Sequence, residues 1–175
     1  MATLFKEQNG DLHYWECWFE GKVRIIHEGI VGDIGTTEKT KIGFFKSAKA
    51  NYDELVEEKL EQGYAEQDED DLTELVVQHP YAEGEMEDAL LRRQFLEEVL
   101  EDLLHTTLLG EFDGGDVGSG TTNIFLFVND VERATKAILQ TLEEDEHTRD
   151  VRIAYLDKND DYISLYPAGA DFEIF

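Results

Sequence analysis

The sequence predicts an α+β protein in which antiparallel sheets carry helices on one face. Three observations lead to this class. Apolar and polar residues alternate in the opening part, as on half-buried strands. Segments with helical spacing of apolar residues follow at 47–62 and 85–105, and short apolar runs return between 108 and 166. We therefore expect an antiparallel sheet with one helix, followed by a helix-hairpin-helix-hairpin α+β sandwich.

The first part of the chain is predicted to form a meander of short strands and then one helix. Tyr14 and Trp15 lie in an alternating segment between the dipeptides Asn9-Gly10 and Glu20-Gly21, which are typical of tight turns. A further strand is expected over residues 23–31. The helix is expected over 47–62, and Gly63 ends it because glycine readily adopts the left-handed conformation at a helix C-terminus.

The second part begins with an apolar run at 72–77, which Pro80 ends, and continues with a long helix over 85–105. The wide apolar stripe of this helix is assigned to the core and consists of Leu91, Phe95, Leu96, Val99, Leu100, Leu103 and Leu104.

Strands are then predicted at 108–112 and 124–128, joined by the glycine-rich segment 113–120 as a hairpin connection. Asn129 or Asp130 caps the next helix. Residues 151–156 and 162–166 form a closing hairpin, and residues 172–175 are a candidate last strand.

Charge divides the chain into two parts. The formal net charge is −26, and residues 1–67 hold 8 bases and 13 acids whereas residues 68–175 hold 7 bases and 28 acids. The run at 66–71 contains five acids and no base, which disfavours packing. We place a domain boundary there, with one domain at 1–67 and an acidic α+β domain at 68–175.

The first domain, over about residues 12–67, resembles the WGR domain, in particular the WGR domains of bacterial proteins related to molybdate-metabolism regulators. The matching residues are Tyr14, Trp15, Gly29, Gly32, Gly35, Ala48, Lys59, Gly63 and Tyr64. Glu28 and Ile30 stand where the family has its signature tryptophan and arginine. The resemblance implies a small antiparallel sheet with one helix. In the family this domain contacts DNA and neighbouring domains, but here the two signature side chains that contribute to such contacts are absent.

The acidic charge makes nucleic acid and anionic membranes poor partners and favours a basic protein. Our first hypothesis is a non-enzymatic interaction module whose acidic surface binds or inhibits a basic protein. The acidic residues assigned to that surface are Asp68, Asp70, Asp71, Glu98, Asp113 and Asp116.

Two alternatives remain open. A nucleic-acid-associated WGR-like protein would use the bases of the less acidic domain, which are Lys22, Arg24, Lys39, Lys41, Lys46 and Lys49. The glycine-rich segment could instead hold calcium or a small molecule, with Asp113 and Asp116 as the available carboxylates.

No catalytic site is predicted. The five histidines are scattered without metal-ligand spacing, and no serine lies in a nucleophile elbow. We expect no cofactor and no metal site. The single cysteine, Cys17, cannot form an intramolecular disulfide, and no apolar stretch reaches membrane-spanning length, so we expect a cytoplasmic protein without a membrane partner.

Overall fold

The computed structural model describes residues 1–43, 47–144 and 147–174, apart from the side chain of Glu69. The chain divides into two compact units, Met1–Glu69 (unit one) and Asp70–Phe175 (unit two). The predicted α+β class is confirmed, because the described residues form antiparallel sheets of four and five strands and three α-helices.

Unit one is a four-stranded antiparallel meander followed by a helix. Its strands pair in chain order and are β1 (Ala2–Gln8), β2 (Asp11–Glu20), β3 (Val23–Ile30) and β4 (Thr36–Lys41). The first turn uses Asn9 and Gly10 at φ values of 57° and 89°, which a glycine accepts without strain and an asparagine tolerates. The turn chemistry read from the sequence therefore sets the register of β1 on β2.

Helix α1 (Ala48–Glu61) covers one face of this sheet. The Ser47 side chain caps its first turn by accepting a hydrogen bond from the Ala50 amide. Leu4, Trp15 and Cys17 form a buried cluster, against which Tyr52 and Val56 pack from the helix. The Cys17 thiol is wholly buried, and burial raises its pKa, so it serves as a small core residue.

Unit two is a five-stranded antiparallel sheet with two helices in β-α-β connections. In chain order its elements are β5 (Thr73–Pro80), α2 (Met86–Thr107), β6 (Gly110–Gly118), β7 (Thr121–Val128), α3 (Val131–Glu144), β8 (Arg152–Leu156) and β9 (Tyr162–Tyr166). The strand order is β6-β7-β5-β8-β9. The succession from β5 to β8 is the split β-α-β topology, which β9 extends at one edge.

The core of unit two lies between the helices and the inner face of the sheet. Leu75 and Val77 of β5 pair with Leu126 and Ile124 of β7, and all four side chains are buried. Helix α2 packs on β6 and β7 and also contacts α3. Burial of each such aliphatic side chain stabilises the fold by about 2 kcal/mol.

One prediction for unit two needs correction. The apolar run at 72–77 lies largely in the central strand, which ends at Pro80 and pairs with both β7 and β8. Strand β6 continues through most of the glycine-rich segment, which was expected to be a connection; only Ser119 and Gly120 form the turn. Glycine serves close packing here, because a Cβ on Gly115 would collide with the Glu97 side chain of α2.

The candidate last strand at 172–175 is also not observed among the described residues 172–174, which carry no strand structure. This segment instead lies across the outer face of the sheet. The Gln78 side-chain amide donates to the Glu173 backbone carbonyl at 3.0 Å, and the centre of the tilted Phe172 ring lies 5.6 Å from that of Tyr162. Contacts of side chains, and not the backbone hydrogen bonds of a strand, therefore attach this segment to the sheet.

Candidate functional site

The outward side of α2 carries both acidic and apolar side chains. Glu87, Leu91, Phe95, Glu98 and Asp102 are exposed on the side opposite the residues that the helix buries, and we call these five residues the α2 outer face. Leu91 is 61% and Phe95 44% exposed. The two apolar groups are four residues apart and therefore neighbours on the helix surface.

The buried residues on the opposite side of α2 explain why the α2 outer face points to solvent. Leu96, Leu100 and Leu104 are fully buried and fix the rotation of α2 on the sheet. Leu91 and Phe95 were predicted to belong to the same core stripe, and this prediction is wrong. The apolar residues of α2 span too wide an arc for one sheet to cover, so Leu91 and Phe95 stay partly in solvent, and the Phe95 ring lies 5.4 Å from that of His147.

No Lys or Arg lies on the α2 outer face, and the exposed His105 follows three residues after Asp102. Arg92 and Arg93 are the only Lys or Arg residues of the helix, and both are partly buried on its inner flank. Arg93 lies 3.4 Å from the Glu97 carboxylate, which neutralises it locally. The α2 outer face is therefore a surface of one sign of charge around two exposed apolar side chains.

The six acidic residues predicted to contact a partner lie on three separate parts of the chain. Asp68, Asp70 and Asp71 are exposed around the short 3₁₀ turn Glu69–Asp71, whereas Asp113 and Asp116 are exposed on β6. Glu98 alone lies on the α2 outer face. Sequence reasoning did not place Leu91 and Phe95 beside Glu98 on a surface. The signal for it was their spacing, because residues seven and three positions before Glu98 share its side of a helix.

Asp116 belongs to a row of polar side chains on the outer face of the unit-two sheet. The Asn123 side-chain amide donates to the Asp116 carboxylate at 2.7 Å, and the Gln78 amide donates to the Asn123 carbonyl at 2.9 Å. Gln78 and Asn123 are each 1% exposed. Because buried amides require hydrogen-bond partners, this row is fully consistent with a structural role for Asp116.

The cations of the nucleic-acid alternative are not gathered on one described surface. Lys39 and Lys41 lie on one face of β4, whereas Arg24 lies on the opposite face of the sheet and is 3.7 Å from Glu38. The Lys49 ammonium on α1 pairs with Asp53 at 2.7 Å. Lys22 is exposed in the turn between β2 and β3, and Lys46 lies outside the described residues.

Two glycines, Gly29 and Gly35, lie against one buried hydroxyl group. The Tyr14 hydroxyl donates to the Ile34 backbone carbonyl at 3.1 Å and lies 3.0 Å from the His27 ring nitrogen Nε2. Burial, reinforced by the Glu16 carboxylate, raises the pKa of Tyr14 to about 12, so the hydroxyl remains a donor at neutral pH. Gly29 and Gly35 leave the space that this hydroxyl occupies.

The Glu28 side chain has a partner within unit one. Its carboxylate lies 3.3 Å from the Lys59 ammonium of α1. The same ammonium lies 5.5 Å from the centre of the Trp15 ring and 4.8 Å from that of Tyr64. These contacts join the sheet to the end of the helix, and they account for Glu28 and Lys59 without any external partner.

Within the described part of the chain, no three His, Cys, Asp or Glu side chains are arranged to hold a metal ion. No helix in the described ranges has the length and apolar character needed to cross a membrane.

No protein-family model matches this chain, and no curated protein or solved structure shows significant similarity to it.

Proposed function

We propose that the protein is a non-enzymatic interaction module and that its α2 outer face binds a basic segment of another protein. The observation that carries this proposal is that Leu91 and Phe95 are 61% and 44% exposed on a helix face whose charged groups are carboxylates. Apolar side chains provide affinity when a partner covers them, while surrounding charges raise the association rate and exclude partners of the same sign.

The chemistry of the face defines the partner. A complementary segment presents Lys or Arg to Glu87, Glu98 and Asp102, and one or two apolar side chains to Leu91 and Phe95. An amphipathic basic helix meets both requirements, since its apolar side chains recur every three or four residues. The net charge of −26 also attracts such a partner over about a Debye length.

The first unit fits the proposal as a stable scaffold. The WGR resemblance remains part of the proposal, and the close packing of Gly29 and Gly35 around Tyr14 supports a structural reason for the glycines that carry it. The nucleic-acid alternative has less support, because the described cations assigned to it lie on different faces and Arg24 and Lys49 pair with carboxylates.

Charge reversal on α2 tests the proposal. We expect the variant Glu98→Lys with Asp102→Lys, used as bait in a lysate of the source cells, to lose a positively charged partner that the wild-type chain retains at about 150 mM salt. Retention by the wild type is expected to fall at about 1 M salt, where screening is nearly complete. The measurement is quantitative mass spectrometry of the retained proteins, and the expected loss is about tenfold or more, equivalent to about 1.4 kcal/mol.

The matched control reverses two exposed carboxylates of α1, Glu54→Lys with Glu57→Lys, and gives the same net charge. We expect this control to retain the partner. Leu91→Ser, which changes no charge, is expected to lose it. Equal loss in both charge-reversed variants would show that only total charge matters and would contradict a binding role for the α2 outer face.

A further inference from the structure

A polar pocket lies beside the end of β5 in unit two and has no part in the function proposed above. It has a volume of about 560 Å³, and Arg92, Arg149, Glu85 and Asp150 supply its charged groups. A smaller neighbouring cavity of about 280 Å³ shares Glu85 and Arg92 and adds Asp88. The larger volume falls within the range of about 300–1,000 Å³ that is usual for small-molecule sites.

Arg92 is the cation that gives this pocket its chemistry. Its only hydrogen bond to a described residue runs from Nη2 to the Pro80 carbonyl, at 3.2 Å, and its Nε is buried without a partner. No described carboxylate lies within 4.0 Å of the guanidinium, although the chain has 41 acidic residues. A guanidinium forms its strongest pairs with two oxygens of one carboxylate, so Arg92 retains capacity for a ligand of that kind.

The carboxylates of the pocket restrict what else that ligand contains. Glu85 accepts a hydrogen bond from the Ala82 amide at 3.3 Å, and Asp150 lies 3.4 Å from Arg149. Asp88 adds a third carboxylate from the smaller cavity, and Arg149 adds a second guanidinium that is paired with Asp150. A simple anion would be repelled by the carboxylates and a simple cation by Arg92, whereas a ligand that carries both charges a few ångströms apart satisfies both sets.

We infer that this pocket binds a free α-amino acid in its zwitterionic form. The ligand carboxylate pairs with Arg92, and its ammonium lies among Glu85, Asp88 and Asp150. Pro80, Tyr81 and Ala89 supply the uncharged part of the lining, which favours a small or medium apolar side chain on the ligand.

Thermal unfolding and calorimetric titration of the full chain with a panel of natural amino acids test this inference. A ligand that binds only the folded state raises the unfolding temperature, so we expect at least one apolar amino acid to do so at millimolar concentration. The amide of that amino acid, which lacks the carboxylate, and its N-acetyl derivative, which lacks the ammonium, are expected to bind at least tenfold more weakly. Inorganic phosphate, as a simple anion, is expected not to bind.

Two pocket variants and one control separate binding from folding. Arg92→Gln and the exposed-site variant Asp88→Asn are each expected to weaken the amino acid's affinity about tenfold or more, while Arg133→Gln on α3, outside the pocket, leaves it unchanged. The inference is overturned if no amino acid changes the unfolding temperature or gives heat. It is equally overturned if the amide, the N-acetyl derivative or phosphate binds as tightly as the free amino acid, or if Asp88→Asn and Arg92→Gln both bind normally.

Discussion

Gly35→Ala is expected to lower the free energy of unfolding of unit one by about 4 kcal/mol, through combined backbone strain and overpacking. Gly35 has a φ of +68°, which an alanine adopts only at a cost. The added Cβ would overlap the Tyr14 hydroxyl and lie 2.8 Å from the Glu28 carbonyl oxygen. Either the hydroxyl loses its bond to Ile34 or the chain between β3 and β4 moves.

Denaturant unfolding followed by tryptophan fluorescence measures this effect in unit one alone, because Trp15 and Trp18 are the chain's two tryptophans and both lie there. Gly43→Ala is the control, since a Cβ at that position meets no atom within 4 Å. In a Tyr14→Phe background the cost of Gly35→Ala should fall, as the two groups are in contact. Equal stability of the Gly35 and Gly43 variants would show that the glycine is not required for this packing.

The stability of unit two is expected to fall as the pH is lowered from about 6.5 to about 4, because of His79. This side chain is 1% exposed, and its ring nitrogen Nε2 donates to the His147 carbonyl at 3.0 Å. Burial, with a smaller effect of Arg92, lowers its pKa from 6.5 to about 4. The unfolded chain therefore binds a proton in this window that the folded chain does not, and the loss amounts to about 3 kcal/mol.

His79→Gln tests this dependence, because glutamine keeps an N–H donor but does not titrate. We expect the unfolding free energy of wild type minus that of the variant to decrease as the pH falls from 7 through this window. The measurement is far-UV circular dichroism in denaturant at each pH. Taking the difference removes the contribution of the carboxylates, which both proteins share. The exposed His105→Gln is the control, and a pH profile of His79→Gln parallel to that of wild type would contradict the assignment.

The strands and the helix of unit one could be predicted from the sequence because local turn and cap residues mark their ends. Asn9-Gly10 and Glu20-Gly21 mark its turns, and Ser47 and Gly63 bracket α1, since each of these features depends on a few neighbouring residues. The packing role of Gly29 and Gly35 could not be predicted from the sequence. Nothing near Gly35 in the sequence indicates that Tyr14, on another strand, occupies the space beside it.

Unit two was harder to read because its central features depend on long-range pairing. Leu75, Val76 and Val77 are all buried, so β5 lacks the alternation that marks a half-covered strand. The α2 outer face could be predicted only in part for the same reason. Glu98 was assigned to a binding surface from charge, but Leu91 and Phe95 were assigned to the core, since the sequence alone does not fix how a helix with an excess of apolar residues rotates on its sheet.

Site-specific photo-crosslinking tests the binding role of the α2 outer face most directly. A photoreactive amino acid replaces Leu91, which is 61% exposed on α2, and in a separate protein it replaces Leu60, which is 49% exposed on α1. In the source cells we expect position 91 to yield a covalent adduct with a positively charged protein and position 60 to yield none. The absence of an adduct at position 91, or the same adducts from both positions, would contradict the account.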